Sequence, residues 1–191
     1  MEGALGQRIG DGDGREIPAI VVWSVVVPGK RGFMGAMVPG QLGGSIFAAM
    51  YTGLKHLHST MAYVVLLFVL IAVLHAILSL KQKRPFTPMS KKFTLYGLIA
   101  AHVQLLAGLV IYFMSPIGLS GLSGGGMGNS AVRFFALEHP LMMIIGIALI
   151  TVGYSKAKRT DEAPKKFKAI AWFYGIGLLL FASRIPWGTW L

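Results

Sequence analysis

The chain has 191 residues, of which 54% are hydrophobic and 13% are charged, and it contains no cysteine. Ordinary soluble domains carry about 25% charged residues, so this composition indicates an integral membrane protein. Without cysteine, disulfides and thiolate-bound metal or iron–sulfur centres are excluded. The net charge of +11 suggests nucleic acid, but all of the excess lies in residues 50–191, mostly in two short connections between apolar segments. That distribution indicates membrane topology and no nucleic-acid partner.

Residues 1–49 differ from the rest of the chain. They hold 11 of the 25 glycines and carry four acidic and four basic residues. Their one apolar run, 19–27, lies between Pro18 and Pro28 and is too short to cross a bilayer, which takes about 20 helical residues. We expect 1–49 to be a disordered extension or a stretch translated from a misassigned start.

Residues 50–191 are expected to form one transmembrane domain. Four apolar segments reach the length of a spanning helix, at about 57–80, 93–114, 132–154 and 169–189. Short connections favour antiparallel neighbours. The sequence therefore predicts an all-α integral membrane protein, a four-transmembrane-helix up-and-down bundle.

Basic residues lie on one side of this predicted bundle. Eleven of them occupy the connections 81–92 and 155–168, whereas the other side has only Lys55, Arg133 and Arg184. Lys and Arg are enriched in cytoplasmic loops, so both termini are predicted to be non-cytoplasmic.

Small residues predict close helix packing in lipid. Gly146 and Gly153 lie seven residues apart with His139 on one face of the third span. The fourth span offers Ala171, Gly175 and Ala182. One face of the second span carries Gly97, Ala101, Gln104 and Gly108.

Histidines are the main ionisable residues in or beside the spans. They are His56 and His58 at the start of the first span, His75 within it, His102 in the second span with Gln104 nearby, and His139 after Glu138 in the third. An ion transporter is expected to place a carboxylate near the midplane, whereas Glu138 is about one turn from the edge of its span. Histidine without deep carboxylates is better suited to binding a metal centre as neutral imidazole.

Haem in a bundle needs two histidines on facing helices as axial ligands. At a rise of about 1.5 Å per residue, His58 and His139 differ in depth by about 6 Å at the non-cytoplasmic side. His75 and His102 differ by as much at the other side, and His102 and His139 differ by about 10 Å. Helix tilt can absorb the smaller difference. Pro140 is expected to kink the third helix beside His139.

Each polar residue also has a structural interpretation. A single buried histidine is more often a hydrogen-bonded packing residue than a ligand, and rings such as His56 favour a membrane boundary. Glu138 can pair with Arg133 or Arg184. Three functions stay open: a haem-binding electron carrier or redox-complex subunit, a cofactor-free assembly or accessory subunit, and a proton or small-solute conduit. Because no soluble catalytic domain is evident, a stand-alone enzyme is disfavoured.

Four stretches of residues 50–191 resemble a family of small four-span bacterial membrane proteins usually named cytochrome b-like. They are MYTGLKHLHST, LIAAHVQLLAGLVIYFMSP, NSAVRFFALEHPLMMIIGIALITVGYSKAK and FYGIGLLLFASRIPW. The matching positions are His56, His58, His102, Gln104, Glu138, His139, Pro140 and the closing run from Ser183 to Trp187. His75 is not part of the pattern.

The resemblance implies a b-type cytochrome of the bacterial inner membrane, with haem b as cofactor. Its partners would be the lipid bilayer and other membrane redox subunits or quinone. The candidate cofactor-binding residues are His58, His139, His102, His56, Arg184 and Trp187. We expect His58 and His139 to be axial ligands of the haem iron, with His102 as an alternative partner and His56 in a supporting position. Arg184 would pair with propionates and Trp187 would cover the ring edge.

Overall fold

A computed structural model describes residues 39–123 and 126–187, with side chains from residue 46 onward. The chain divides between Gly44 and Ser45, and the architecture below concerns the second part. The expectation of a disordered or misassigned 1–49 falls mainly on residues outside the described ranges. Residues 39–49 lie in the first helix.

Four long helical segments make up the bundle. The helices are α1 (Pro39–Lys81), α2 (Pro88–Met114), α3 (Ser130–Arg133), α4 (His139–Lys158) and α5 (Ala163–Ser183). A π-helical turn, Phe134–Glu138, joins α3 to α4 into one segment. All four segments are long and apolar enough to cross a membrane. No strand occurs in the described residues, so the predicted all-α fold with four spanning helices is confirmed.

The fourth helix begins and ends earlier than the apolar segment predicted. Pro164 lies in the first turn of α5, where its fixed φ suits a helix start and its missing N–H costs nothing. At the other end, Pro186 disfavours helical geometry at Ile185, and α5 ends at Ser183. Hydropathy alone misplaced the helix because the lysines of its first turns are polar.

Consecutive segments are antiparallel. Near the end of α1, the His75 Nε2 lies 2.8 Å from the Ser90 hydroxyl at the start of α2. At the opposite end of this pair, the Gln104 amide donates to the His58 carbonyl over 2.7 Å. The bundle therefore has a basic end, which holds the connections 82–87 and 159–162, and a histidine end, which holds the α1 residues around His58 and the end of α2.

α4 and α5 approach each other through glycines. A Cβ on Gly153 would lie 2.6 Å from the Phe173 Cβ, and one on Gly177 would lie 3.0 Å from the Gly146 carbonyl. Gly175, the glycine expected to pack, has no atom within 4 Å of such a Cβ. The small-residue contact of α5 is therefore made by Gly177.

Aromatic residues of α5 fill the core. Tyr174 is fully buried and its hydroxyl donates to the Thr94 carbonyl of α2 over 2.9 Å. Phe167 is also buried and packs against the rings of His75 at 5.9 Å and Phe86 at 5.1 Å between centres. His75 is thus a packing residue near the basic end.

The outward surface of the bundle is apolar. Leu106, Phe113, Trp172 and Leu179 are 65–70% exposed, and many other large hydrophobic side chains accompany them. Such surface is far more than a soluble monomer exposes, and it suits contact with lipid.

Candidate functional site

A cavity of about 380 Å³ lies at the histidine end, between α1, α2 and the segment that contains α4. Its wall is mainly apolar, and it includes His58, Gln104 and His139 among its few polar side chains. Ligand pockets typically measure about 300–1,000 Å³ and combine an apolar wall with a few placed polar groups. This cavity has both properties.

Two histidines from different helices meet in this wall. The ring centres of His58 on α1 and His139 on α4 are 6.3 Å apart, with an angle of 72° between the ring planes. The depth difference estimated from the sequence is therefore absorbed by the packing of the helices. The structure brings together the outer pair of the predicted ligands.

His139 is held by the backbone at the end of α5. Its Nδ1 lies 2.7 Å from the Arg184 carbonyl oxygen. A carbonyl only accepts hydrogen bonds, so Nδ1 carries the proton and Nε2 is the nitrogen with a free lone pair. Histidines that bind metals usually donate their other ring N–H in this way.

The helix turn before His139 is π-helical because Pro140 interrupts the backbone ladder. Pro140 has no N–H for the Ala136 carbonyl, and the His139 N–H bonds back to Phe134. The Tyr112 hydroxyl of α2 donates to the freed Ala136 carbonyl over 3.0 Å. The irregularity predicted beside His139 is thus a π-helical turn that is hydrogen-bonded to α2. Single π-helical turns are frequent at functional sites.

His58 has a different environment. Its ring lies against Gly108 of α2, where a Cβ would be 3.0 Å from the His58 Cε1. Any larger residue at position 108 would therefore displace the imidazole. The glycine leaves room for the ring between the two helices.

Two buried polar atoms at this site lack a hydrogen-bond partner within the described ranges. They are the Nδ1 of His58 and the Oε1 of Gln104. The Nε2 of Gln104 donates to the His58 carbonyl, so only its oxygen lacks a partner. Buried polar atoms are normally satisfied, and exceptions indicate an absent water, ion or ligand. Both exceptions lie in the wall of this cavity.

The other predicted ligand residues lie elsewhere. His102 is exposed on α2, and its Nδ1 donates to the Leu98 carbonyl of its own helix over 2.8 Å. His56 is exposed on α1. Neither lines the cavity.

Arg184 and Trp187 lie just outside the residues that line the cavity, and Arg184 has a charged neighbour. The Arg184 Nη2 is 3.7 Å from one Glu138 oxygen, and the Arg133 Nε is 3.1 Å from the other. The two ion pairs considered for Glu138 are therefore both present. The indole of Trp187 donates to the Ala182 carbonyl over 3.1 Å.

No group of three or more His, Cys, Asp or Glu side chains with metal-binding geometry occurs in the part of the chain that the structure describes. The imidazoles that line the cavity are those of His58 and His139.

Sequence reasoning did not assign Lys55 or Tyr112 to this site, and it predicted Gly108 only as a packing residue of the second span. Pro140 signals that a carbonyl needs another donor, but the sequence does not identify Tyr112 as that donor. Lys55 lines the cavity, and its ammonium lies 5.7 Å from the centre of the Tyr51 ring. It is the cation of the cavity wall.

Replacing Tyr112 with phenylalanine is expected to destabilise the bundle by about 1 kcal/mol, because the Ala136 carbonyl loses its donor. Thermal unfolding in detergent, followed by circular dichroism, measures the change. Tyr96→Phe is the matched control, since Tyr96 is on the same helix and 46% exposed. Equal stability of the two variants would show that the hydroxyl of Tyr112 contributes nothing.

Comparison with known proteins shows no matching family model, no significantly similar curated protein and no significantly similar solved structure. The function must therefore be argued from the cavity and its two histidines.

Proposed function

We propose that the chain is a b-type cytochrome-like membrane protein that holds haem b in the cavity at the histidine end. His58 and His139 would hold its iron. The observation that carries this proposal is the meeting of two imidazoles from different helices, 6.3 Å apart, in the wall of an apolar cavity. The resemblance to the cytochrome b-like family supports the same pair.

The two imidazoles would hold the haem iron. Their ring centres lie 6.3 Å apart, and both rings line the same cavity. When bound, haem would supply a one-electron redox couple.

The residues around the pair orient it. The Arg184 carbonyl fixes the proton of His139 on Nδ1, and the Gln104 amide ties the backbone at His58 to α2. Such partners set ring orientation and raise ligand basicity. The mainly apolar wall excludes water from the ligands.

The carboxylates of the cofactor would form an ion pair with Lys55. This side chain lines the cavity, and no carboxylate lies within ion-pair distance of it among the described residues. Arg184 was expected to fill this role, but its guanidinium pairs with Glu138. Arg184 contributes to the site through its carbonyl.

The basic connections support an orientation with the basic end in the cytoplasm and both termini outside it. The histidine end then lies near the outer surface of a bacterial inner membrane. Other membrane redox subunits or quinone would exchange electrons with the protein there.

The test is an absorption spectrum of the full chain, expressed with ample haem and purified in detergent. We expect stoichiometric haem and, after dithionite reduction, the α-band of a six-coordinate b-type centre. A folded, colourless protein would contradict the proposal.

A cofactor-free accessory subunit is the second candidate. It is favoured by the fact that His139 and Gln104 both bond backbone carbonyls of other helices, as purely structural residues do. This function leaves the two unpartnered atoms without a reason. The same colourless but folded protein would be its expected result.

A further inference from the structure

A second cavity, of about 230 Å³, lies at the basic end between the first turns of α2 and α5 and the last turns of α4. We propose that it binds a phosphate group, supplied either by the headgroup of an anionic phospholipid or by a soluble phosphate. This inference is independent of the proposed haem site, which lies at the other end of the bundle.

Three cations line this cavity. Lys91, Lys158 and Lys166 come from three different helices, and no acidic residue is among the lining side chains. None of the three takes part in an ion pair within the described residues. Glu162, an acidic residue of this end of the bundle, pairs with Lys165 instead. The packing of α2, α4 and α5 therefore gathers positive charge that the protein itself leaves uncompensated.

The remaining wall completes an anion site. The Lys166 ammonium lies 5.1 Å from the centre of the Phe86 ring, which holds it at the cavity. The Thr94 hydroxyl donates to the Ser90 carbonyl. The Tyr154 hydroxyl, which also belongs to the cavity wall, has no hydrogen-bond partner in the residues described. A phosphate accepts hydrogen bonds from both ammonium and phenol groups.

Size and position point to a phosphate group. A water molecule takes about 30 Å³, so 230 Å³ is several times the space that one water needs. The cavity lies where the apolar helices end, the level at which lipid headgroups meet a membrane protein. Basic pockets between spanning helices bind anionic headgroups in this position.

Lipid retention tests the site. The full chain in neutral detergent is mixed with phosphatidylglycerol or phosphatidylcholine, and bound lipid is counted by native mass spectrometry. We expect selective retention of phosphatidylglycerol. One lysine near a headgroup contributes about a fivefold gain in affinity, so the triple variant Lys91→Gln/Lys158→Gln/Lys166→Gln should bind about 100-fold more weakly.

The control removes the same charge from the same end of the bundle. It is the triple variant Lys83→Gln/Lys92→Gln/Lys168→Gln, at exposed positions that do not line the cavity. We expect it to retain phosphatidylglycerol. Circular dichroism confirms that both variants are folded. Equal loss of bound phosphatidylglycerol in both variants would overturn the site, because retention would then reflect general charge attraction. Loss in neither variant would also overturn it, because the lysines would then contribute nothing to retention.

Inorganic phosphate distinguishes the two sources of the ligand. If millimolar phosphate displaces phosphatidylglycerol from both the wild-type chain and the control variant, whose cavity lysines are intact, the occupant is a soluble phosphate. If it does not displace the lipid, the occupant is the headgroup.

Discussion

From the proposed function, replacing either His58 or His139 with alanine is expected to lower the affinity for haem by at least about 100-fold and to abolish the proposed six-coordinate spectrum. Loss of a residue that merely supports a ligand costs about 10–100-fold in metal affinity, so loss of the ligand itself should cost more. Haem content after gel filtration and the reduced-minus-oxidised spectrum measure the effect.

His102→Ala and His56→Ala are the matched controls for this experiment. Both histidines are exposed and outside the cavity wall, so their removal should leave the spectrum unchanged. An α-band that persists in both His58→Ala and His139→Ala would refute the ligand assignment. Loss of the band in His102→Ala alone would move the site to the middle of α2.

Replacing Gly153 with alanine is expected to destabilise the bundle by about 1–3 kcal/mol, the usual cost of overpacking. The new methyl group would lie 2.6 Å from the Phe173 Cβ and 3.3 Å from the Tyr174 ring. A Cβ is fixed to its backbone, so α4 and α5 must move apart and the buried Tyr174 must shift. Thermal unfolding in detergent gives the change in stability.

Gly175→Ala provides the control, at a glycine of α5 outside the contact with α4. No atom lies within 4 Å of a Cβ at Gly175, so the substitution adds no contact. Alanine is favoured over glycine in a helix interior by about 0.5–1 kcal/mol, and the variant should be equal to or more stable than wild type. If Gly153→Ala were equally benign, the close approach of α4 and α5 would be refuted.

Depth along the chain was predictable, but rotation about each helix axis was not. Counting residues from the span ends placed His58 and His139 within reach of each other, and their rings meet. The same counting left His102 as an alternative, whereas its ring lies on the exposed side of α2. Small residues indicated the packed face of α2, which carries Gly97 and Gly108, but they did not show that Gly108 would lie against the His58 ring.

The glycines illustrate the same limit. Gly175 and Gly177 are both small residues of α5, and only Gly177 lies against α4. In a helix that is apolar all round, a lipid-facing and a helix-facing glycine look alike in the sequence. The four spans and the packing glycines of α4, Gly146 and Gly153, could therefore be predicted from the sequence, whereas their partner on α5, Gly177, could not.

The bond between His139 and Arg184 has a genetic consequence. The acceptor is a main-chain carbonyl, a group that every amino acid carries, so no codon change at position 184 removes it. Exchanging the Arg184 side chain would break the link to Glu138 and leave the imidazole oriented. Only a change in chain length near the end of α5 would withdraw the acceptor, and random mutagenesis should therefore find insertions and deletions there far more damaging than substitutions at position 184.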